Sequence, residues 1–373
     1  MFPPSSPFAW PSSSDRTPRR AWTGGPEGSV QLAPTPRSVV WRDGPAELYR
    51  FARPANDGED ATNERGRRGQ TGATGIDERL PVLIVPSLIN RWYILDLRAG
   101  KSFVEAMVRA DLDTFCLDWG VPADEDRYTS WEDVANRLHR AVRRVLRVTG
   151  APRLGLIGYC MGGTLSAIYT ALEPQNVAAL VNLAGPVDFS ESGPLGELVD
   201  SRFFDPDAIA DAGNVSPVQM QSGFQALRPT LGLSKIAGMM DRVADPEARA
   251  AFSALETWSN DNVPFPGDAY RTYIRELYQE NALCRGHHRV GGRLASLASI
   301  TCPILAIVAE RDTICPPPAA TALTRQSGST DCEVLSAPGG HVGAVVGRRA
   351  SEKLYPATTA WLRDRLRRGP RPA

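Results

Sequence analysis

The chain has no excess of either charge: 42 lysines and arginines stand against 42 aspartates and glutamates in 373 residues. Such a balance supplies no long-range field for nucleic acid or an anionic membrane. The one basic concentration, Arg363 to Arg371, reads as the solvated end of a helix and its tail. No apolar run approaches the roughly 20 residues of a membrane span. The N-terminal stretch is rich in proline and serine and lacks the apolar h-region of a secretory leader. Cysteine is sparse, with six residues at 116, 160, 284, 302, 315 and 332. None forms a C-x-x-C pair, so neither a zinc site nor a redox pair is indicated. Cys284 stands near His287 and His288, but without a second ligand pair that segment reads as a polar loop. The cysteines in predicted strands read as buried, reduced thiols, which suits a cytoplasmic location. There is no internal repeat, no G-x-G-x-x-G and no P-loop lysine, so the nucleotide-binding readings lose their support and no phosphate fingerprint marks a cofactor.

What is present is a substantial apolar fraction, 42% of the residues, arranged as short strands alternating with helices. Residues 1–37 lack periodicity and read as a disordered or loosely attached segment. Val39-Val40-Trp41 and Glu47 to Phe51 flank Asp43-Gly44 and predict a hairpin. Asn56 to Glu78 reads as a long surface loop. Pro81 to Pro86, Asp113 to Asp118, Arg153 to Ile157 and Ala178 to Leu183 are short apolar runs, as expected of strands in a parallel sheet. Ser102 to Ala110 and Trp131 to Thr149 are helical, the latter with Val134, Leu138, Val142 and Val145 on one stripe. His139 lies on its exposed side. The pattern breaks over 185–299, which predicts an inserted, mainly helical cap. It resumes with strands at Pro303 to Val308 and Cys332 to Leu335 and a closing helix from Ala350 to Arg365. The expected organisation is a core in two parts, 38–184 and 300–373, interrupted by the cap.

The chemistry concentrates at Gly158-Tyr159-Cys160-Met161-Gly162-Gly163, between a predicted strand and the helical run from Thr164. A glycine-flanked strand-turn-helix is the setting of a nucleophile elbow in an α/β-hydrolase fold: a mostly parallel sheet with helices on both faces. Cysteine stands here where most such elbows carry serine. A thiol nucleophile needs a base and an orienter for that base, in the chain order nucleophile, acid, histidine. Asp312 follows the strand Pro303 to Val308, and His341 follows the last strand within Gly339-Gly340-His341-Val342-Gly343. Glu310 is the second candidate for the acid. Each residue alone has an ordinary structural explanation: a small residue at a helix start, a turn aspartate, a loop histidine. Their order and their placement after parallel strands favour catalysis. The oxyanion hole is expected to use the N–H of Met161 and a donor from Ser87-Leu88-Ile89-Asn90, assigned to Leu88. The His-Gly pair of ordinary lipases is absent there. Met220, Phe224, Met239 and Met240 are candidates for an acyl path, or plain cap packing.

The elbow resembles the G-x-C-x-G-G box of polyhydroxyalkanoate synthases. So do Val85 to Leu97, Asp118-Trp119-Gly120-Val121-Pro122, Trp258 to Gly267, Tyr273 to Leu283 and the Asp312 and His341 segments. The resemblance runs from about Leu80 to the last helix. It implies Cys160 as acyl acceptor, His341 as base and Asp312 as its partner. It also implies 3-hydroxyacyl-CoA as substrate, with CoA released, and no further cofactor. The chain looks most like the short catalytic subunits that act with a second subunit. A homodimer and a location in the cytoplasm or at the polyester granule surface follow from the same likeness. Two departures stand out: Thr313 where the family often has histidine, and Ser87-Leu88 where it often has Pro-Pro.

Cysteine suits that reaction. Moving an acyl group from one thiol to another keeps it activated, and a hydroxyl can then attack it to form an oxygen ester. Two other readings stand beside this one. One is a cysteine hydrolase of the same fold: a depolymerase, thioesterase or dienelactone-type enzyme. The other is a non-catalytic protein binding granules or a synthase.

Overall fold

The computed structural model describes residues 31–54, 80–226 and 245–368. Most of the expected N-terminal segment, the Asn56 to Glu78 loop, Met239 and Met240 lie outside the described residues, as does the side chain of Phe224. Thr35 already belongs to the core. Its N–H and hydroxyl donate to the buried Asp96 carboxylate at 3.1 and 2.7 Å.

Eight strands form the main sheet: β1 Arg37–Asp43, β2 Ala46–Phe51, β3 Leu80–Val85, β4 Leu112–Asp118, β5 Leu154–Tyr159, β6 Val177–Leu183, β7 Ile304–Ala309 and β8 Cys332–Ala337. Their spatial order is β1-β2-β4-β3-β5-β6-β7-β8. The β1–β2 hairpin is antiparallel and β2 joins β4 antiparallel, while β3 to β8 run parallel. From β3 the chain moves to β4 on one side and later to β5 on the other. The order therefore reverses at β3/β5, and the crevice beyond the carboxyl ends of those strands is where a ligand has room.

The continuously apolar strands are buried on both faces, as their sequences require. Gly155 faces Leu362 and Leu366 of the closing helix, whereas Gly158, of opposite parity, faces Ser166 of the elbow helix. Besides the closing helix, the elements supplying those faces are α1 Phe103–Arg109, α2 Trp131–Thr149 and α3 Met161–Leu172. α2 starts on a reciprocal cap, with Ser130 and Asp133 bonding each other's backbone N–H, and stops at Gly150 with φ 69°. Its buried stripe is the predicted one, but His139 is half-buried and lies 6.0 Å from the Tyr169 ring.

Between β6 and β7 the described residues contribute no strand to the main sheet. They form α4 Pro194–Leu198, α5 Pro206–Ala210, α6 Pro217–Ala226, α7 Pro246–Ser259 and α8 Gly267–Thr272. A π-helical turn, Tyr273–Gln279, and a small hairpin, Arg289–Val290 with Arg293–Leu294, follow. This stretch docks on the core through the aromatic contact of Trp131 with Tyr273 at 5.3 Å, and Phe189 and Tyr278 pack within it at 4.8 Å. After β7 come α9 Pro317–Gln326, β8, the short α10 Gly343–Val346 and, beyond a π-helical turn, α11 Tyr355–Arg368.

The thiols divide differently from expectation. All six cysteines are free, but only Cys116 and Cys315 are buried. Cys332 opens the edge strand β8, which has a neighbour on one side alone, so its side chains are covered less well than those of a central strand. The polar loop expected at His287 and His288 also divides. His287 is exposed, while His288 is fully buried, with Nδ1 2.8 Å from Glu276 and Nε2 accepting from the Trp131 indole at 3.2 Å.

Candidate active site

Cys160 sits between β5 and α3 at φ 56° and ψ −128°, a left-sided conformation for a residue with a side chain. Two backbone bonds hold it there. Its N–H donates to Leu183 O at 2.9 Å, and its carbonyl accepts from Gly163 N–H at 2.8 Å. The neighbouring glycines are needed for space. A Cβ on Gly162 would fall 2.0 Å from Val85 O, and one on Gly158 would fall 2.4 Å from Gly162 O. The sharp turn leaves the cysteine half-buried beyond the sheet edge.

The loops after β7 and β8 are stitched together by backbone bonds, Glu310 N–H to Ala337 O at 3.0 Å and Arg311 N–H to Gly339 O at 2.8 Å. That stitching sets His341 against Asp312. The Asp312 Oδ1 accepts the N–H groups of Ile314 and Cys315, both at 2.9 Å, which leaves Oδ2 for His341 Nδ1 at 2.7 Å. The Tyr159 ring stacks on the imidazole at 5.4 Å and 24°. Glu310, the second candidate acid, is exposed and takes only a 3.4 Å bond from the Ser336 hydroxyl.

The His341 Nε2 is buried with no well-formed hydrogen bond among the described residues, and Cys160 acts on the ring electrostatically. Burial pulls the imidazolium down, but the charge at Cys160 and the hydrogen bond with Asp312 outweigh it and lift the group to about 10. A protonated imidazole held beside a thiol is the setting that activates a cysteine nucleophile. In a Cys160→Ala variant only Asp312 opposes the effect of burial. An NMR titration of labelled histidine is expected to find the His341 pKa well below that of the wild type. An unchanged value would show that Asp312 alone holds the proton.

Met161 is the first residue of α3, where a backbone N–H has no intrahelical acceptor. Leu88 lies in the turn after β3, and both side chains are buried. The two segments meet at the β3/β5 crevice. The insertion reaches the same place. Burial, with the charge of Cys160 adding to it, pushes the phenols of Tyr273 and Tyr278 far up. Both tyrosines belong to the Tyr273 to Leu283 stretch, but nothing in their spacing shows their proximity to the thiol. Asp261 accepts from the Tyr93 hydroxyl at 2.8 Å, and Asn262 from Asn90 at 2.6 Å. With the Trp258 indole on Arg91 O at 2.9 Å, these bonds tie the insertion to the loop after β3. Among the described residues no group of histidine, cysteine and carboxylate side chains is placed to hold a metal, and no helix is long and apolar enough to cross a membrane.

The fold and the elbow define a class. The family profile for the alpha/beta hydrolase fold matches residues 81–347. Solved structures agree on the architecture: Est1E from Butyrivibrio proteoclasticus and a hydrolase from Pseudomonas aeruginosa PA01 each superpose with a TM-score of 0.52 at 14% identity. They cover 89% and 87% of this chain and 99% and 98% of their own. Within that class the sequence is more specific. It is 31% identical over 340 residues to the poly(3-hydroxyalkanoate) polymerase subunit PhaC of Allochromatium vinosum, covering 90% of this chain and 91% of that one. It is 32% identical over 348 residues to the same-named subunit of a Synechocystis species, covering 91% and 87%. The chain belongs to the poly(3-hydroxyalkanoate) polymerase family.

Proposed function

We propose that this chain polymerises 3-hydroxyacyl-CoA into poly(3-hydroxyalkanoate), releasing CoA, through an acyl thioester on Cys160. The supporting observation is a cysteine at the elbow beside a histidine that keeps its proton, in a chain of this family. The Cys160 thiolate attacks the thioester carbonyl, and the oxyanion that forms is held by the N–H groups of Met161 and Leu88. The C–S bond to CoA breaks, and the leaving thiolate takes the proton from His341. Neutral His341 then removes the proton of a hydroxyl on a second hydroxyacyl unit or chain end. The oxygen attacks acyl-Cys160, an oxygen ester forms, and the thiolate and imidazolium pair returns. Asp312 keeps Nδ1 protonated throughout, so that Nε2 is the atom that exchanges protons.

Water must not replace the hydroxyl. Residues 185–299 act as the cap that excludes it, with Tyr273 and Tyr278 within electrostatic reach of the thiol. The two core segments, 38–184 and 300–373, carry the catalytic residues. The protein works without a cofactor as a cytoplasmic homodimer at the polyester surface, with a second synthase subunit.

The test is intact-mass analysis of the purified protein, with any partner, during exposure to 3-hydroxybutyryl-CoA. The expected result is stoichiometric CoA release, an adduct at Cys160 that grows in units of the monomer, and polymer. Free hydroxy acid without polymer would overturn the synthase in favour of a cysteine hydrolase.

A further inference from the structure

The loop after β3 carries a side chain that the backbone scheme leaves without a task. Ser87 is only 2% exposed, and its Oγ is buried without a hydrogen-bond partner among the described residues. A hydroxyl in that position keeps its desolvation penalty and receives nothing in return from the free protein. Its place is specific. β3 and β5 pair in parallel as far as Val85 with Gly158, and two residues further along each chain stand Ser87 and Cys160. Both are past the carboxyl ends of their strands, at the crevice where the strand order reverses. The two segments touch there, since a Cβ on Gly162 would come within 2.0 Å of Val85 O and 2.6 Å of Pro86 O. The peptide between residues 86 and 87 is pinned by the Trp119 indole, which donates to Pro86 O at 3.0 Å.

We propose that the Ser87 hydroxyl is a third donor to the oxyanion, acting with the Met161 and Leu88 N–H groups. This rests on the acyl-transfer role of Cys160 and extends it. A thioester carbonyl is a weak acceptor in the ground state and an alkoxide-like one in the tetrahedral intermediate. A hydroxyl with no other partner gains its hydrogen bond when that charge develops, so its effect falls on the barrier rather than on binding. A proline at this position, as in the pattern the chain otherwise resembles, has no donor to offer.

The experiment compares wild type with Ser87→Ala in three readouts. Steady-state CoA release from 3-hydroxybutyryl-CoA is expected to show kcat lowered about 10- to 100-fold with KM nearly unchanged. Single-turnover acylation of Cys160 falls by the same factor. Alkylation of Cys160 by iodoacetamide, which displaces iodide and forms no oxyanion, keeps its wild-type rate. The melting temperature stays level or rises by about 2–4 °C, because an unpartnered buried hydroxyl has been removed. Ser87→Cys, close in volume and a weaker donor, lies between the two and serves if the alanine variant fails to fold. Acylation at the wild-type rate in either variant overturns the proposal. So does a parallel loss of acylation and alkylation, which would mean a disturbed thiol. A wild-type protein that never acylates at Cys160 would instead remove the acyl-transfer role on which the proposal stands.

Discussion

A Cys160→Ala variant is expected to form no acyl adduct and to release CoA at the background rate, a fall of about 10⁴-fold or more. The loss is chemical rather than structural. The elbow conformation is enforced by the bonds from Cys160 N–H to Leu183 O and from Gly163 N–H to Cys160 O, which alanine makes equally well. Serine is the sharper substitution. A serine hydroxyl holds no negative charge at neutral pH, so the largest influence raising the His341 pKa disappears and the histidine must take up a proton during the attack. The acyl-serine that forms is already an oxygen ester, and passing it to another hydroxyl has little driving force. The expected result for Cys160→Ser is slow acylation to an adduct that persists and does not extend. Intact mass over time separates this from the wild type, whose adduct grows. Turnover in the alanine variant at anything near the wild-type rate would exclude Cys160 as the nucleophile.

The elbow was legible because its requirements are local. An apolar run buried on both faces, a residue forced to positive φ and glycines where backbone meets backbone all leave marks within ten residues of Cys160. The Asp312–His341 contact was legible by order alone, since loops after parallel strands share one sheet edge. What no local pattern contains is the stitching that sets their separation. The bonds from residues 310 and 311 to 337 and 339 are made by backbone groups that any sequence supplies.

The inserted stretch shows the limit most clearly. Its helices announced themselves by the loss of strand-like runs, but helical periodicity carries no information about which end reaches the thiol. Tyr273 and Tyr278 look like ordinary aromatic filling until the π-helical turn brings them within electrostatic reach of Cys160. His288 is a similar case. A histidine beside another histidine in a Gly- and Arg-rich stretch suggests solvent. Its burial depends on Glu276 twelve residues earlier and on Trp131 across the fold. Ser87 was visible as a departure from a motif, but its missing partner is a property of the packed state.

Asp312→Asn is the substitution that tests the arrangement around His341, and its outcome follows from three bonds. The Oδ1 accepts two backbone N–H groups, from Ile314 and Cys315 at 2.9 Å each, and the Oδ2 faces His341 Nδ1 at 2.7 Å. An asparagine fits those two N–H donors only by turning its carbonyl oxygen toward them. Its amide nitrogen then faces the imidazole and donates to Nδ1. The histidine is driven to the tautomer with its proton on Nε2, which cannot accept from a thiol or a hydroxyl. The opposite amide orientation sets two buried N–H groups against an NH₂ and costs stability instead. By either route turnover is expected to fall about 10³- to 10⁴-fold. The pH profile carries the second signature. In the wild type His341 keeps its proton up to about 10, so acid assistance to the leaving thiol is lost on a limb near that pH. Removing the carboxylate removes both its charge and its hydrogen bond, each of which raises that value, so the limb in Asp312→Asn moves to lower pH. A variant that loses rate while keeping its alkaline limb in place would show that Asp312 orients the ring without holding its proton.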